Sequence, residues 1–387
     1  MELGVDNKGG WQHTLIYMDH AATTPVSQTA LEAVEPWLRN ICGNPSSNHS
    51  AGRDAKNAVN TARKQVEEVI NAPLDTVRFT SGGTEADNWA LQSVASLYGR
   101  GHIITTSVEH HAVLRTTQHL ERLGYHITYL PVDTEGRVSA GDIDRAIRPD
   151  TILVSVMAAN NEVGTVFPIQ DIGQVCRGRG VLFHTDAVQA VGHIPVDVQE
   201  WGVDLLSMSG HKFGAMKGIG ALYVRPKMQL PPLLFGGRQE RGMRAGTENV
   251  CGAVSMGAAL QDRPSVAELA QLKNALLSGL RTIPGCHMNS PQAGCLPNIV
   301  NISFEDVESE ALILQLAAKG ICASGASACQ AGSLQPSHVL TAMAIEEKWL
   351  RGSLRLSLSN QNTMDEVNTV VESVRDVVSM LRLYNRR

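Results

Sequence analysis

VLFHTDAVQ (residues 181–189) and LLSMSGHK (residues 205–212) are the two stretches that decide the fold. In each, a run of apolar residues ends in polar ones, which is the pattern of a buried strand whose carboxyl end faces a site. Helical patterns of crossover length lie between most runs of this kind. Similar runs occur at 77–80, 102–107, 126–132, 151–159 and 220–224. The sequence therefore predicts an α/β fold with a mostly parallel seven-stranded sheet.

The length of the chain predicts more than one domain. It has 387 residues, and a single hydrophobic core stops growing at about 250–300 residues. The alternation of strands and helices ends near residue 225, and the glycine- and arginine-rich stretch 236–246 indicates a loop, which we expect to reach another subunit. We expect an N-terminal arm (1–16) that packs with the small domain, a large domain (17–260) and a smaller α+β C-terminal domain (261–387).

Composition excludes several classes of function. Lys and Arg number 33 against 38 Asp and Glu, a net charge of −5, so no basic field favours nucleic acid or an anionic membrane. The seven cysteines show no metal-binding or disulfide spacing, which indicates a reducing compartment. No apolar run is long enough to span a bilayer. We therefore expect a cytoplasmic protein without a bound metal ion.

Asp186 and Lys212 end two successive predicted strands, at the edge of the sheet where ligands bind. Taken singly, a buried or helix-capping aspartate and a solvated lysine would explain them. Together with the Gln189 amide one turn further on, they suit a pyridine ring, because a carboxylate keeps its nitrogen protonated and a lysine beside a cationic imine becomes a nucleophile and proton carrier. This combination predicts a site for pyridoxal phosphate (PLP).

Other polar side chains are predicted at the same edge. SGGT (81–84) joins a strand to a helix, and its Gly83 and Thr84 suit a phosphate, although a simple capped turn has the same sequence. Ser209 and His211, which flank Lys212, are further phosphate candidates. Two adjacent pairs follow other strands. His110-His111 offers one imidazole to stack on a ring or to cap a helix, and Asn160-Asn161 offers one amide for a ligand oxygen or merely a turn.

Two candidates lie in the C-terminal third of the chain. Cys329 belongs to a run of small residues (323–333), for which we expect a mobile loop with an accessible thiol. Cys322, in contrast, fits a small buried apolar residue. Arg355 stands between two leucines in a predicted strand. Its planar fork suits an α-carboxylate, and an internal salt bridge is an equally good explanation.

Assembled, these motifs resemble the cysteine desulfurases of the NifS/IscS group, within the aspartate-aminotransferase-like PLP enzymes of fold type I. The resemblance covers about residues 17–359. The chain departs from the group's usual pattern at SGASACQA (324–331) and at Met216, and neither departure removes a reacting group. The motifs that carry it are YMDHAATTP (17–25), GNPSSNHSAG (43–52), FTSGGTEADN (79–88), VEHHAV (108–113), NNEVG (160–164), HTDAVQAVG (184–192), SMSGHKFGAMKGIGALYVR (207–225), ERGMRAGTEN (240–249), SGASAC (324–329) and PSHVL (336–340).

The resemblance implies a role for each candidate, and it implies a homodimer in which one subunit completes the phosphate site of the other. The implied roles are Lys212 for the covalent link to PLP, Asp186 for the pyridine nitrogen, Gln189 for the phenolic oxygen, His110 for stacking and proton transfer, Gly83, Thr84, Ser209, His211 and the neighbouring subunit's Thr247 position for phosphate, Asn161 and Arg355 for the substrate carboxylate, and Cys329 for the persulfide-forming nucleophile.

The expected reaction converts L-cysteine to L-alanine and places the sulfur on Cys329 as a persulfide. An acceptor protein then takes it to iron–sulfur cluster assembly, tRNA thiolation or DNA phosphorothioation. One alternative is a selenocysteine lyase, or another PLP lyase of this fold, in which Cys329 is dispensable. Another is a non-catalytic protein that binds sulfur-transfer partners, against which the intact Lys212, Asp186 and Arg355 argue.

Overall fold

A twisted sheet with helices around it forms the centre of the molecule. The computed structural model describes residues 15–262, 265–325 and 336–385. Within these residues the strands are β1 (Ile16–Tyr17), β2 (Val77–Thr80), β3 (His102–Thr106), β4 (His126–Leu130), β5 (Thr151–Ser155), β6 (Leu182–Asp186), β7 (Leu205–Ser209), β8 (Gly220–Val224), β9 (Cys286–Met288), β10 (Ile299–Phe304), β11 (Ile321–Cys322) and β12 (Ser353–Ser357).

The helices fill the intervals between the strands, and short 3₁₀ turns occur at Gly210–Lys212 and Glu240–Gly242. In the described residues the helices are α1 (Gln28–Arg39), α2 (Ser50–Val69), α3 (Gly83–Tyr98), α4 (His111–Arg122), α5 (Ala140–Ala146), α6 (Ile169–Arg179), α7 (Val198–Trp201), α8 (Val250–Ala259), α9 (Val266–Leu280), α10 (Ser309–Ala318), α11 (His338–Ala342), α12 (Glu347–Leu350) and α13 (Met364–Asn385).

The central sheet has seven strands in the order β2-β8-β7-β6-β5-β3-β4. Strands β4, β3, β5, β6 and β7 pair in parallel, and β8 runs antiparallel to both of its neighbours. The predicted α/β fold with a mostly parallel seven-stranded sheet is thus confirmed. Strand β5 ends at Ser155, four residues earlier than the pattern indicated, although Val156 and Ala158 still donate to carbonyls of the β6 chain. This early end frees the following residues to turn toward the carboxyl edge.

A second sheet lies in the C-terminal part of the chain, with the order β12-β10-β9. Helices α9, α10 and α13 pack around it and enclose an apolar cluster of their own. Strand β1 pairs in parallel with β11, and the next residue, Met18, is buried in this second cluster. The division of the chain at residues 16 and 260 stays a prediction.

Helix α13 shows how the C-terminal helices meet this cluster. Its valines at 367, 370, 374 and 377 are almost fully buried and follow the spacing of one helix face. Charged residues such as Asp365, Glu372, Arg375 and Asp376 are exposed on other faces, so the helix is amphipathic. In the parts of the chain that the structure describes, no helix combines the length and the apolar character needed to cross a membrane.

Candidate active site

A cavity of about 520 Å³ opens at the carboxyl edge of the central sheet. Ten of the twelve predicted site residues line it, although they come from segments far apart in sequence. Those ten are Gly83, Thr84, His110, Asn161, Asp186, Gln189, Ser209, His211, Lys212 and Arg355. The central sheet brings nine of them together, because strands that run in the same direction end at the same edge. Arg355 reaches the cavity from β12 of the second sheet.

Asp186 is the last residue of β6 and lies at the buried end of the cavity, with 4% of its surface exposed. One carboxylate oxygen accepts a hydrogen bond of 2.9 Å from the Val188 amide, which fixes the side chain at the start of the following turn. Burial raises the pKa of Asp186, whereas that amide and the facing Lys212 ammonium lower it. A cationic ring nitrogen at this position would offset the burial and hold the carboxylate ionised.

Lys212 enters the cavity from the 3₁₀ turn that follows β7. Its Nζ donates to the carbonyl oxygens of Ala21 and Ala22 at 2.7 and 2.8 Å. Gln189 donates to the same Ala21 oxygen at 2.9 Å, and its own Oε1 is buried with no hydrogen-bond partner in the described residues. Sequence reasoning gave the segment around Ala21 no role, because backbone carbonyls leave no trace in residue type.

His110 is both a helix cap and a wall of the cavity. Its Nδ1 accepts a hydrogen bond from the Ala112 amide at 3.1 Å, so the ring's proton is on Nε2. Burial, together with the Lys212 ammonium, lowers the pKa of His110 to about 4. The ring is therefore neutral at neutral pH. The two explanations offered by the sequence, capping and a functional role, are compatible.

The N-terminus of α3 forms an anion cradle at one side of the cavity. Gly82, the N-cap residue, has no side chain to satisfy the first amides of this 16-residue helix. A Cβ on Gly83 would lie 2.6 Å from the Val188 side chain, so only glycine leaves this approach open. Ser209 and Thr84 add hydroxyl groups beside it. Free amides at a helix N-terminus bind phosphate well.

His211 completes the same side of the cavity. Its Nδ1 lies 3.1 Å from the Thr23 hydroxyl, and burial, followed by the charges of Lys212 and Lys217, lowers the pKa of His211 to about 4. A neutral imidazole can donate one hydrogen bond to a phosphate oxygen. With the orphaned Gln189 oxygen and the open approach at Gly83, the residues present fit a group that carries a pyridine ring and a phosphate.

Arg355 lies on β12 with its side chain only 2% exposed. Its guanidinium donates to the Asn161 carbonyl oxygen and to the Asp19 carboxylate, both at 3.0 Å, while Nε is buried without a hydrogen-bond partner in the described chain. The internal salt bridge that the sequence allowed is therefore present, and the arginine still lines the cavity. Sequence reasoning did not identify Asp19 as its partner.

The two neighbouring asparagines have different environments. Asn160 is fully buried, donates to the Val108 carbonyl and accepts from the amides of Glu162 and Val163. Asn161 lines the cavity. Asn160 thus forms the turn and Asn161 faces the cavity, a distinction that residue type alone left open.

Two of the twelve predicted site residues, Thr247 and Cys329, are not among those ten. Thr247 is exposed and outside the cavity, and its role toward a neighbouring subunit stays a prediction. Cys329 falls outside the described residues. Cys322, on β11, is half-buried, and burial followed by the nearby Asp19 raises the pKa of its thiol. It is less enclosed than the apolar pattern indicated.

The comparisons with known proteins agree with this geometry. Residues 16–370 match the family model described as Aminotransferase class-V, so the chain belongs to the class-V aminotransferases, which are PLP-dependent. "Cysteine desulfurase IscS" of Methanosarcina thermophila is 48% identical over 378 residues, covering 96% of this chain and 94% of the relative. The namesake from Dictyoglomus turgidum is 45% identical over 375 residues, covering 95% of each. Within the class, the chain is one of the cysteine desulfurases.

Solved structures show the same relationship. A NifS-like protein superposes with a TM-score of 0.88 at 35% identity, covering 95% of this chain and 100% of that one. The structure titled "SspA in complex with cysteine" has a TM-score of 0.81 at 37% identity, covering 89% and 98%. The resemblance stated from the sequence motifs and the predicted cofactor are both confirmed.

Proposed function

We propose that the protein converts L-cysteine to L-alanine and transfers the sulfur first to Cys329, as a persulfide, and then to an acceptor protein. The observation that carries the proposal is the convergence of Asp186, Lys212 and Arg355 on one cavity. PLP, when bound, supplies a ring that withdraws electrons from the substrate's Cα. The side chains of the cavity supply charge, proton transfer and orientation.

Lys212 is the proposed base. The Ala21 and Ala22 carbonyls hold its amine in place from one side of the cavity. Asp186, at the far end of the cavity, keeps a proton on a ring nitrogen by its negative charge. Proton removal from Cα then needs only a short movement of the lysine amine between fixed carbonyls and substrate.

Arg355 and Asn161 are proposed to hold the substrate carboxylate. The guanidinium is fixed by two hydrogen bonds and therefore loses little conformational freedom when the substrate binds. A carboxylate at this position would orient the Cβ–S bond of cysteine within the cavity. His110, neutral with its proton on Nε2, is the proposed proton carrier for the substrate thiol.

The sulfur transfer is a displacement at the substrate sulfur. The Cys329 thiolate forms the new S–S bond, the substrate C–S bond breaks, and the carbon skeleton takes up protons and leaves as L-alanine. Formation of a persulfide rather than free sulfide distinguishes this route from a lyase, in which no protein thiol is needed.

The test uses the holoenzyme, L-cysteine labelled at sulfur, and mass spectrometry of the Cys329 peptide. We expect label on Cys329 and alanine in equal amount during the first turnover. Cys329→Ala should retain the yellow cofactor yet lose alanine formation about 10²-fold or more. Cys322→Ala is the matched control and should keep both the yellow cofactor and the parent rate of alanine formation. Alanine formation by Cys329→Ala at the parent rate would favour the selenocysteine lyase or another PLP lyase.

We further propose a cytoplasmic homodimer in which Thr247 completes the phosphate site of the second subunit. The resemblance and the exposed position of Thr247 support this. Mixing Thr247→Ala with Lys212→Ala subunits should restore activity in part, because one of the two sites then receives both intact residues.

The acceptor is tested by incubating the labelled persulfide enzyme, in separate reactions, with acceptor proteins from iron–sulfur assembly, tRNA thiolation and DNA phosphorothioation. The acceptor that takes up the label identifies the pathway.

A further inference from the structure

A second carboxylate lies beside Asp186 and has no role in the mechanism above. Asp87, in the second turn of α3, is 1% exposed and lines the same cavity. A carboxylate oxygen of Asp87, a carboxylate oxygen of Asp186 and a ring nitrogen of His110 all lie within 4.8 Å of one another. Asp87 Oδ1 has no hydrogen-bond partner within the described part of the chain. Two carboxylates this close and this buried do not both ionise without a compensating cation.

Among the described residues, the ion-pair contact of Asp87 is with a histidine and not with a lysine or an arginine. His184 Nε2 lies 3.6 Å from Asp87 Oδ1. Both nitrogens of that imidazole already meet hydroxyl groups, of Ser155 at 2.8 Å and Ser207 at 3.0 Å, and burial lowers the pKa of His184 to about 3. The imidazole below Asp87 is therefore neutral.

The remaining titratable neighbours affect the pKa values of Asp87 and Asp186 differently. Burial raises the pKa of Asp87 well above its usual value, and the charge of Asp186 raises it further. A hydrogen bond from the Ser207 hydroxyl lowers the pKa of Asp87, and the buried Glu109, just before α4, raises it more weakly. The Lys212 ammonium instead favours ionisation of Asp186. His110 is neutral, as described above. Charge therefore settles on Asp186, and Asp87 is the member of the pair that keeps a proton.

We propose that Asp87 is held as a neutral carboxylic acid whose O–H donates a hydrogen bond to Asp186, so that the pair presents one negative charge, in a fixed orientation, to the ring nitrogen of the cofactor. Asp87 acts through Asp186 and is a positioning residue. The proposal rests on the proposed function in one respect, the placing of the ring nitrogen at Asp186. The protonation of Asp87 itself is a property of the protein without cofactor.

The first test measures unfolding of the cofactor-free protein from pH 4 to 7, comparing the parent with Asp87→Asn. An unfolded aspartate ionises above about pH 4, whereas a buried neutral Asp87 keeps its proton, so each pH unit lowers the parent's folded-to-unfolded ratio by about tenfold relative to the variant. We expect the variant's relative stability to rise with pH. Since Glu109 is present in both proteins, its titration cancels. A difference that is flat across this range would overturn the proposal.

The second test measures PLP affinity by fluorescence titration. An amide mimics a carboxylic acid as a donor, so Asp87→Asn should stay within about threefold of the parent, whereas Asp87→Ala and Asp186→Asn should each lose about tenfold or more. If Asp87→Asn is as weak as Asp87→Ala, the charge of Asp87 is needed and the inference is wrong. If Asp186→Asn binds PLP normally, the role given to Asp186 under the proposed function fails, while the pH test of Asp87 remains valid.

Discussion

Replacing Arg355 by methionine tests whether this buried arginine recognises substrate or only holds the fold. Methionine keeps most of the volume but removes the donors to Asn161 and Asp19. In the proposed site a substrate carboxylate takes two hydrogen bonds from the guanidinium, each worth about 1.5–3 kcal/mol when one partner is charged. The lower figure for both gives about 3 kcal/mol, which is a loss of about 10²-fold in kcat/KM.

The assay is alanine formation at varied L-cysteine, with kcat and KM determined separately. Because the carboxylate contact exists before and during the reaction, most of the loss should appear in KM. The same variant also breaks an ion pair whose Asp19 side chain is 18% exposed, and its unfolding free energy should fall by about 2–3 kcal/mol.

Asp19→Asn is the matched control, because it breaks the same ion pair and leaves the guanidinium in place. Its stability should fall by a comparable amount, while its KM for L-cysteine should not rise. Equal KM values in the two variants, or a KM for Arg355→Met within about threefold of the parent, would refute recognition of the carboxylate by Arg355 and leave the residue a structural role alone.

Three further changes follow from other contacts. Glu240→Ala removes the bidentate partner of the mostly buried Arg63 and should lower the unfolding free energy by about 3–5 kcal/mol in urea, and a loss below about 1 kcal/mol would contradict this. Burial raises the pKa of Glu109 to about 8, so this carboxyl costs stability as pH rises from about 4.5 to 8. Glu109→Gln should therefore gain about 1.4 kcal/mol per pH unit over the parent in that interval, and parallel stability curves would contradict it. A Cβ on Gly220 would lie 2.6 Å from Gly82 Cα, so Gly220→Ala should weaken PLP affinity about tenfold by displacing the anion cradle, whereas Gly178→Ala, where a Cβ meets nothing within 4 Å, should leave affinity unchanged. Equal affinities in those two variants would show that the cradle tolerates the shift.

The central sheet could be predicted because its strands are short apolar runs that end in polar or glycine residues, a local pattern. Helices α1, α2 and α8 were not predicted. In α2 the buried face is built from Ala55, Val59, Ala62 and Val66 within a mostly polar sequence, and alanines give little hydrophobic periodicity. Strands β1 and β11 are two residues long and pair across about three hundred residues, so no local pattern marks them.

The candidate site also contains residues that could be predicted from the sequence and contacts that could not. Residues whose side-chain chemistry suggests a role at a strand end, such as Asp186 and Lys212, could be found from the sequence, and both line the cavity. The contacts that hold them could not be, because they depend on tertiary packing. The Ala21 carbonyl that receives Lys212, and Asp19 opposite Arg355, are examples. Asp87 was missed because one polar residue on a helix is usually solvated, and only the structure shows that it faces inward.

The segment that begins at β1 and turns at residues 20–22 reaches both apolar cores within a few residues. Met18 lies in the C-terminal core and Ala21 in the core of the central sheet. Between them, Asp19 meets Arg355, and the Ala21 and Ala22 carbonyls meet Lys212. The groups that hold Arg355 and Lys212 are thus two to three residues apart on one turn, which hydrogen bonds from the Ala22 and Thr23 amides to the Asp19 carbonyl oxygen close. If the two cores shift against each other, the turn keeps the group that pairs with Arg355 and the groups that receive Lys212 at a constant spacing.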